Sequence, residues 1–84
     1  MSRYISNAEI LHRRLQEAKK RSGMTAAEIA EAADISIQAV YWNIGSARRQ
    51  QWPSVPTLCA LCEALDLSVE DVLRADEHLA EEDV

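Results

Sequence analysis

An all-helical fold is predicted by three features of this 84-residue sequence. It has no Phe and only two Gly and two Pro, which starves it of hairpin turns. No run of β-branched residues exceeds two, so strand-like alternation is missing. Apolar residues instead recur at i, i+3, i+4 and i+7, the period of an amphipathic helix. A chain this short buries ~60% of its unfolded surface, enough for one core and too little for two. Apolar residues make up 48% and charged residues 27%, the balance of a soluble globular domain rather than of a disordered acidic chain. No apolar run approaches ~18 residues and Met1 is followed by a polar start with Asn7, so neither a membrane span nor a secretory leader is expected. Cys59 and Cys62 are too close in sequence to form a disulfide framework, which makes a reducing, cytoplasmic compartment the expectation.

Taken in order, the elements announce themselves by caps. Ser6-Asn7-Ala8-Glu9 has capping-box spacing, and Leu11, Leu15 and Ala18 follow as the stripe of a first helix running to about Arg21. Lys19, Lys20 and Arg21 suit the negative end of its dipole, and Gly23 can take the left-handed stop. Thr25-Ala26-Ala27-Glu28 is a second capping box, followed by Ala26, Ile29, Ala30 and Ala33 on one face. After the short break Asp34-Ile35-Ser36, Ser36 caps a third helix expected to end at Gly45. Ser46 to Ser54 has no periodicity and reads as a loop carrying Arg48, Arg49 and Trp52. Ser54 or Val55 opens a fourth helix with Pro56 in its first turn and Leu58, Leu61, Cys62 and Leu65 as its stripe. Asp66-Leu67 turns the chain, and Ser68 caps a fifth helix with Val69, Val72 and Leu73 inward. The organisation expected is one domain over residues 1–75 and an acidic, disordered tail over 76–84.

Charge is divided unevenly. Residues 1–52 carry eight basic side chains against five acids, whereas residues 53–84 carry Arg74 alone against nine acids. The net charge of −5 therefore hides a basic half facing an acidic one.

Five short helices with a tight turn between the second and third describe a helix-turn-helix. The matching residues are Arg14-Leu15, Lys19, Lys20-Arg21-Ser22-Gly23-Met24-Thr25, Glu28-Ile29-Ala30-Glu31-Ala32, Ile35-Ser36 and Val40. They continue as Pro53-Ser54-Val55, Thr57-Leu58, Leu65-Asp66-Leu67-Ser68 and Val72-Leu73. From Leu11 to Leu73 the sequence thus resembles the phage repressor and Cro-like helix-turn-helix proteins, the XRE family. The resemblance implies the five-helix lambda-repressor-like domain and operator binding, usually as a homodimer.

Four positions depart from the family pattern. Ala26 stands where a Gln commonly contacts phosphate, and Asp34 stands for the usual turn Gly. In the third helix Asn43 falls on a core position and Ile44 where a Glu often pairs with the base at Lys19. A slight rotation placing Ile37, Val40 and Ile44 inward would avoid an unpaired buried amide, which costs ~1–3 kcal/mol. Finally, the stretch from Val40 to Pro53 is about three residues longer than the pattern, and its extra residues are basic and aromatic.

A recognition helix reads bases in the major groove through amides and apolar groups. Gln38, Tyr41 and Trp42 are the candidates for base contact, although an aromatic beside an apolar stripe equally suits packing, and Trp42 could meet Trp52 over the loop. Lys19, Thr25, Ser36, Arg48 and Arg49 are the candidates for the DNA backbone. Leu67, Val69, Val72, Leu73 and Leu79 are the candidates for a dimer interface. Cys59-Ala60-Leu61-Cys62 is a C-x-x-C, but it lies within a helix and lacks two further ligands at zinc spacing, so core cysteines and no metal or cofactor are expected. No catalytic triad or phosphate-cradling loop can be assembled, so the chain is not expected to be an enzyme. The competing reading is a protein-interaction module such as an antirepressor, supported by the acidic balance, Ala26 and the apolar Ile37, Tyr41 and Trp42. A double-stranded DNA operator, a second copy and a protein are thus the expected partners, and a membrane is not.

Overall fold

The computed structural model describes residues 3–44 and 51–75. Among these, five helices and no strand are found: α1 (Ala8–Ser22), α2 (Ala26–Ala33), α3 (Ile37–Asn43), α4 (Val55–Ala64) and α5 (Val69–Leu73). The first helix starts one residue later than the Ser6 box predicts. Asn7 is its cap, with its side-chain oxygen accepting from the Glu9 amide at 2.8 Å. Asn caps as well as Ser, and entry at Asn7 makes the buried Ala8 the first residue of the stripe. At the other end Gly23 has φ 74°, and its N–H closes on the Lys19 carbonyl at 3.1 Å. In α2 the capping box is complete: the Glu28 amide donates to Thr25 Oγ1 and the Thr25 amide to Glu28 Oε1.

Two turns depend on aspartate in the left-handed region. Asp34 (φ 60°) ends α2 and Asp66 (φ 61°) follows α4. In both, a backbone N–H reaches back over the last turn, from Ile35 to the Ala30 carbonyl and from Leu67 to the Cys62 carbonyl. Asp accepts this conformation more readily than most residues, which is why the absent turn glycine is tolerated.

The inward rotation expected of α3 is half right. Val40 and Ile44 are buried, but Ile37 is exposed. Four residues advance the helix by only ~40°, so Val40 and Ile44 share a face, while Ile37 at the helix entrance lies ~60° away from Val40. Ile35, in the turn before the helix, packs against the core instead. Asn43 is only half-buried, and its amide donates to the Ala39 carbonyl at 2.7 Å, so no unpaired amide arises. The helix ends at Asn43; the expected stop at Gly45 lies outside the described residues.

The predicted stripes of α2 and α4 are all buried, and Ala26, Ile29, Ala30, Leu58, Leu61, Cys62 and Leu65 from them join Leu11, Leu15, Val40 and Ile44 in one continuous core. Helix α2 packs on α3 and α4, and α5 packs on α1 and α4. The chain entering α1 runs antiparallel to the chain leaving α5: Ile5 N–H donates to the Leu73 carbonyl and Ala75 N–H to the Arg3 carbonyl, each at 2.8 Å. Arg14 locks this seam from α1, donating to the carbonyls of Val72 (2.9 Å) and Arg74 (2.7 Å). Charged donors make strong hydrogen bonds, so the end of α5 is fastened to α1.

Candidate nucleic-acid interface

Helix α3 presents four outward residues, Ile37, Gln38, Tyr41 and Trp42, all exposed. At ~100° per residue they span ~140° of the helix, centred ~110° away from the buried Val40 and Ile44. Tyr41 and Trp42 are 54% and 64% exposed, so neither belongs to the core. Trp52 is also exposed, so the two tryptophans do not form a buried pair.

Thr25 and Ser36 are exposed at the entrances to α2 and α3, where their hydroxyl oxygens accept the Glu28 and Ala39 amides at 3.1 Å. Lys19 is half-buried at the end of α1. Among the described residues, no ion pair holds Arg13, Lys19 or Lys20. Arg48 and Arg49 lie outside the described residues, and so does Leu79.

A groove of about 460 Å3 opens between α1 and the α2–α3 pair. Ala26, Val40 and Ile44 form its apolar floor, while Arg13, Lys19 and Lys20 bring positive charge and Tyr41 stands at its side. The groove exists where two departures from the family pattern fall, at the small Ala26 and the uncharged Ile44. It joins the basic end of α1 to the outward face of α3.

Sequence reasoning missed His12. It is buried, and its Nε2 lies 2.9 Å from the Gln51 carbonyl, which can only accept, so Nε2 carries the proton. Nδ1 is buried with no partner among the described residues. This one bond ties α1 to the chain leading into α4. The available signal was position: His12 lies four residues after Ala8 and three before Leu15, on the edge of the apolar stripe.

Of the proposed dimer residues, Val72 must be withdrawn, because it is buried in the chain's own core. Leu67, Val69 and Leu73 are half-buried and pack against that core. Both cysteines are free thiols, Cys59 exposed and Cys62 buried. Burial, with Cys59 nearby as a lesser cause, pushes the Cys62 thiol up to about 11, so it is protonated at neutral pH. No group of three or more His, Cys, Asp and Glu that could hold a metal occurs among the described residues. Nor, among these, is any helix long and apolar enough to cross a membrane.

The helix-turn-helix domain family matches residues 10–76, which takes in all five helices from early in α1. The chain belongs to that family. No curated protein and no solved structure matches it. A helix-turn-helix domain is the mark of a DNA-binding regulator, and α2, the Asp34 turn and α3 are its two helices and turn.

Proposed function

We propose that this helix-turn-helix protein is a sequence-specific transcriptional regulator that binds a palindromic operator as a homodimer in the cytoplasm. A Cro-like repressor, a restriction-modification controller and an antitoxin all fit this reading. The observation that carries it is the exposed α3 face of Ile37, Gln38, Tyr41 and Trp42. In the major groove, Gln38 can pair bidentately with adenine, and Tyr41 and Trp42 can meet thymine methyls. Thr25 and Ser36 lie where phosphates flank that groove, and Lys19, Arg48 and Arg49 supply the positive charge that fixes the register. One short helix reads too few base pairs to single out an operator, so two copies are needed on half-sites about one helical turn apart. Leu67, Val69, Leu73 and Leu79 are the residues proposed for the contact between them.

The test is a mobility shift with the DNA upstream of the protein's own gene against random DNA at two salt concentrations. Specific, salt-sensitive retention is expected; equal weak retention of both would remove sequence specificity. A second reading, docking on another protein, is favoured by one observation: three large apolar side chains, Ile37, Tyr41 and Trp42, stand exposed on one helix. It predicts no shift with either DNA.

A further inference from the structure

The groove between α1 and the α2–α3 pair is basic at its rim and apolar at its floor, and the chain itself carries a segment of matching chemistry. We propose that the acidic segment 76–84 docks in this groove. Its competition with DNA rests on the functional reading above; the docking itself does not.

Charge is the first argument. Arg13, Lys19 and Lys20 line the groove, with Glu17 as the one acid among its described lining residues. The segment carries Asp76, Glu77, Glu81, Glu82 and Asp83 and no Lys or Arg. Apolar complementarity is the second: Leu79, between the two acidic clusters, suits the floor of Ala26, Val40 and Ile44, and while docked there it is withdrawn from the contact proposed between copies.

Placement is the third. The Arg14 guanidinium, bonded to the Val72 and Arg74 carbonyls, brings the end of α5 against α1. Arg13, the next residue along α1, already belongs to the groove. From Arg14 to Lys20 is ~9 Å along the helix, whereas nine extended residues reach ~30 Å. The segment therefore leaves the fold next to α1 and is long enough to reach the groove and follow it. Single exposed ion pairs are weak, but a tethered segment is held at an effective concentration of order millimolar, which makes weak pairs sufficient. Docked there, it would lie against Tyr41 and Lys19, both on the face assigned to DNA.

The test compares the full chain with a full-length variant whose tail is neutralised by Asp76→Asn, Glu77→Gln, Glu81→Gln, Glu82→Gln and Asp83→Asn. Amide NMR spectra of both are recorded at about 50 mM and 0.5 M salt, where the screening length drops severalfold. At low salt the Arg13, Lys19, Lys20 and Tyr41 amides should differ between the two chains while those of α4 do not, and high salt should abolish the difference. Lys19→Gln with Lys20→Gln in the full chain should reproduce the undocked spectrum around Arg13 and Tyr41. Random DNA, the second probe, should bind the neutralised chain roughly tenfold more tightly at low salt. Absent or evenly spread amide differences overturn the docking, and a gain in DNA affinity without local shifts does too, because long-range charge alone then explains it. Local shifts with no DNA binding by either chain would leave the docking standing and remove the functional reading.

Discussion

Helices α3 and α4 make opposite use of apolar residues. In α4 the stripe Leu58, Leu61, Cys62 and Leu65 is buried, and of its large apolar residues only Val55, in the first turn, is exposed. In α3, Val40 is buried and Ile44 just beyond it, while Ile37, Tyr41 and Trp42 face out. Removing a Leu or Trp side chain from water is worth ~1.5–3 kcal/mol, so α3 forgoes several kcal/mol that α4 collects. Stability explains α4, whereas the exposed residues of α3 form the face proposed here for DNA.

The largest expected effect breaks this comparison directly. Leu61→Ala, at a fully buried position, should destabilise the fold by ~2–5 kcal/mol in a urea melt. Trp42→Ala should change stability by no more than ~0.5 kcal/mol. An equal loss from both would place Trp42 in the core and leave α3 without a surplus.

Next come Arg48 and Arg49. Arg48→Ala with Arg49→Ala should weaken binding to every DNA sequence alike and flatten the salt dependence, by ~0.9 in the slope of log K against log salt for each lost phosphate contact. A slope unchanged from the parent would take both arginines out of the interface. The acidic isoelectric point, about 4.9, is no obstacle to a steep slope, because the acids are concentrated beyond residue 53.

Gln38→Ala is expected to act more locally. It should cost ~1–3 kcal/mol at one base position of each half-site and leave affinity for random DNA nearly unchanged. A panel of single-base operator variants measures this, and an unaltered base preference would make Gln38 a solvated residue.

Much of the fold was legible because its signals are local. Thr25, Ser36, Ser54 and Ser68 cap helices within three residues of themselves, and the α2 and α4 stripes need only the helical period. Asp34 was readable as a left-handed turn for the same reason. What escaped acts over distance. His12 accepts burial because of a carbonyl 39 residues away, and Arg14 reaches carbonyls 58 and 60 residues away. A backbone carbonyl belongs to every residue, so such partners leave no mark in the sequence. Ile37 was misplaced because its period fits the stripe, and only the position of Ile35 decides which isoleucine the core takes. The groove was invisible for a related reason: it is a gap left by small or uncharged residues, and no residue announces a gap.

The smallest expected effect sharpens the comparison within α4 itself, between its two thiols. Cys59 is exposed and should be alkylated by iodoacetamide at neutral pH, whereas buried Cys62 should react only on unfolding. Burial also gives Cys62 a pH signature. Its folded value of about 11 lies above the ordinary 9.0, so between these the folded state holds a proton that the unfolded state has released. Stability from this group is therefore full below pH 9 and declines as pH rises toward 11. Lysines and tyrosines titrate in the same range, so the informative quantity is the difference between parent and Cys62→Ala. The variant should be less stable at pH 7, through the lost packing, and should close part of that gap by pH 11. A gap constant with pH would mean that the thiolate finds solvent in the folded chain, and that α4 is less tightly seated than its stripe implies.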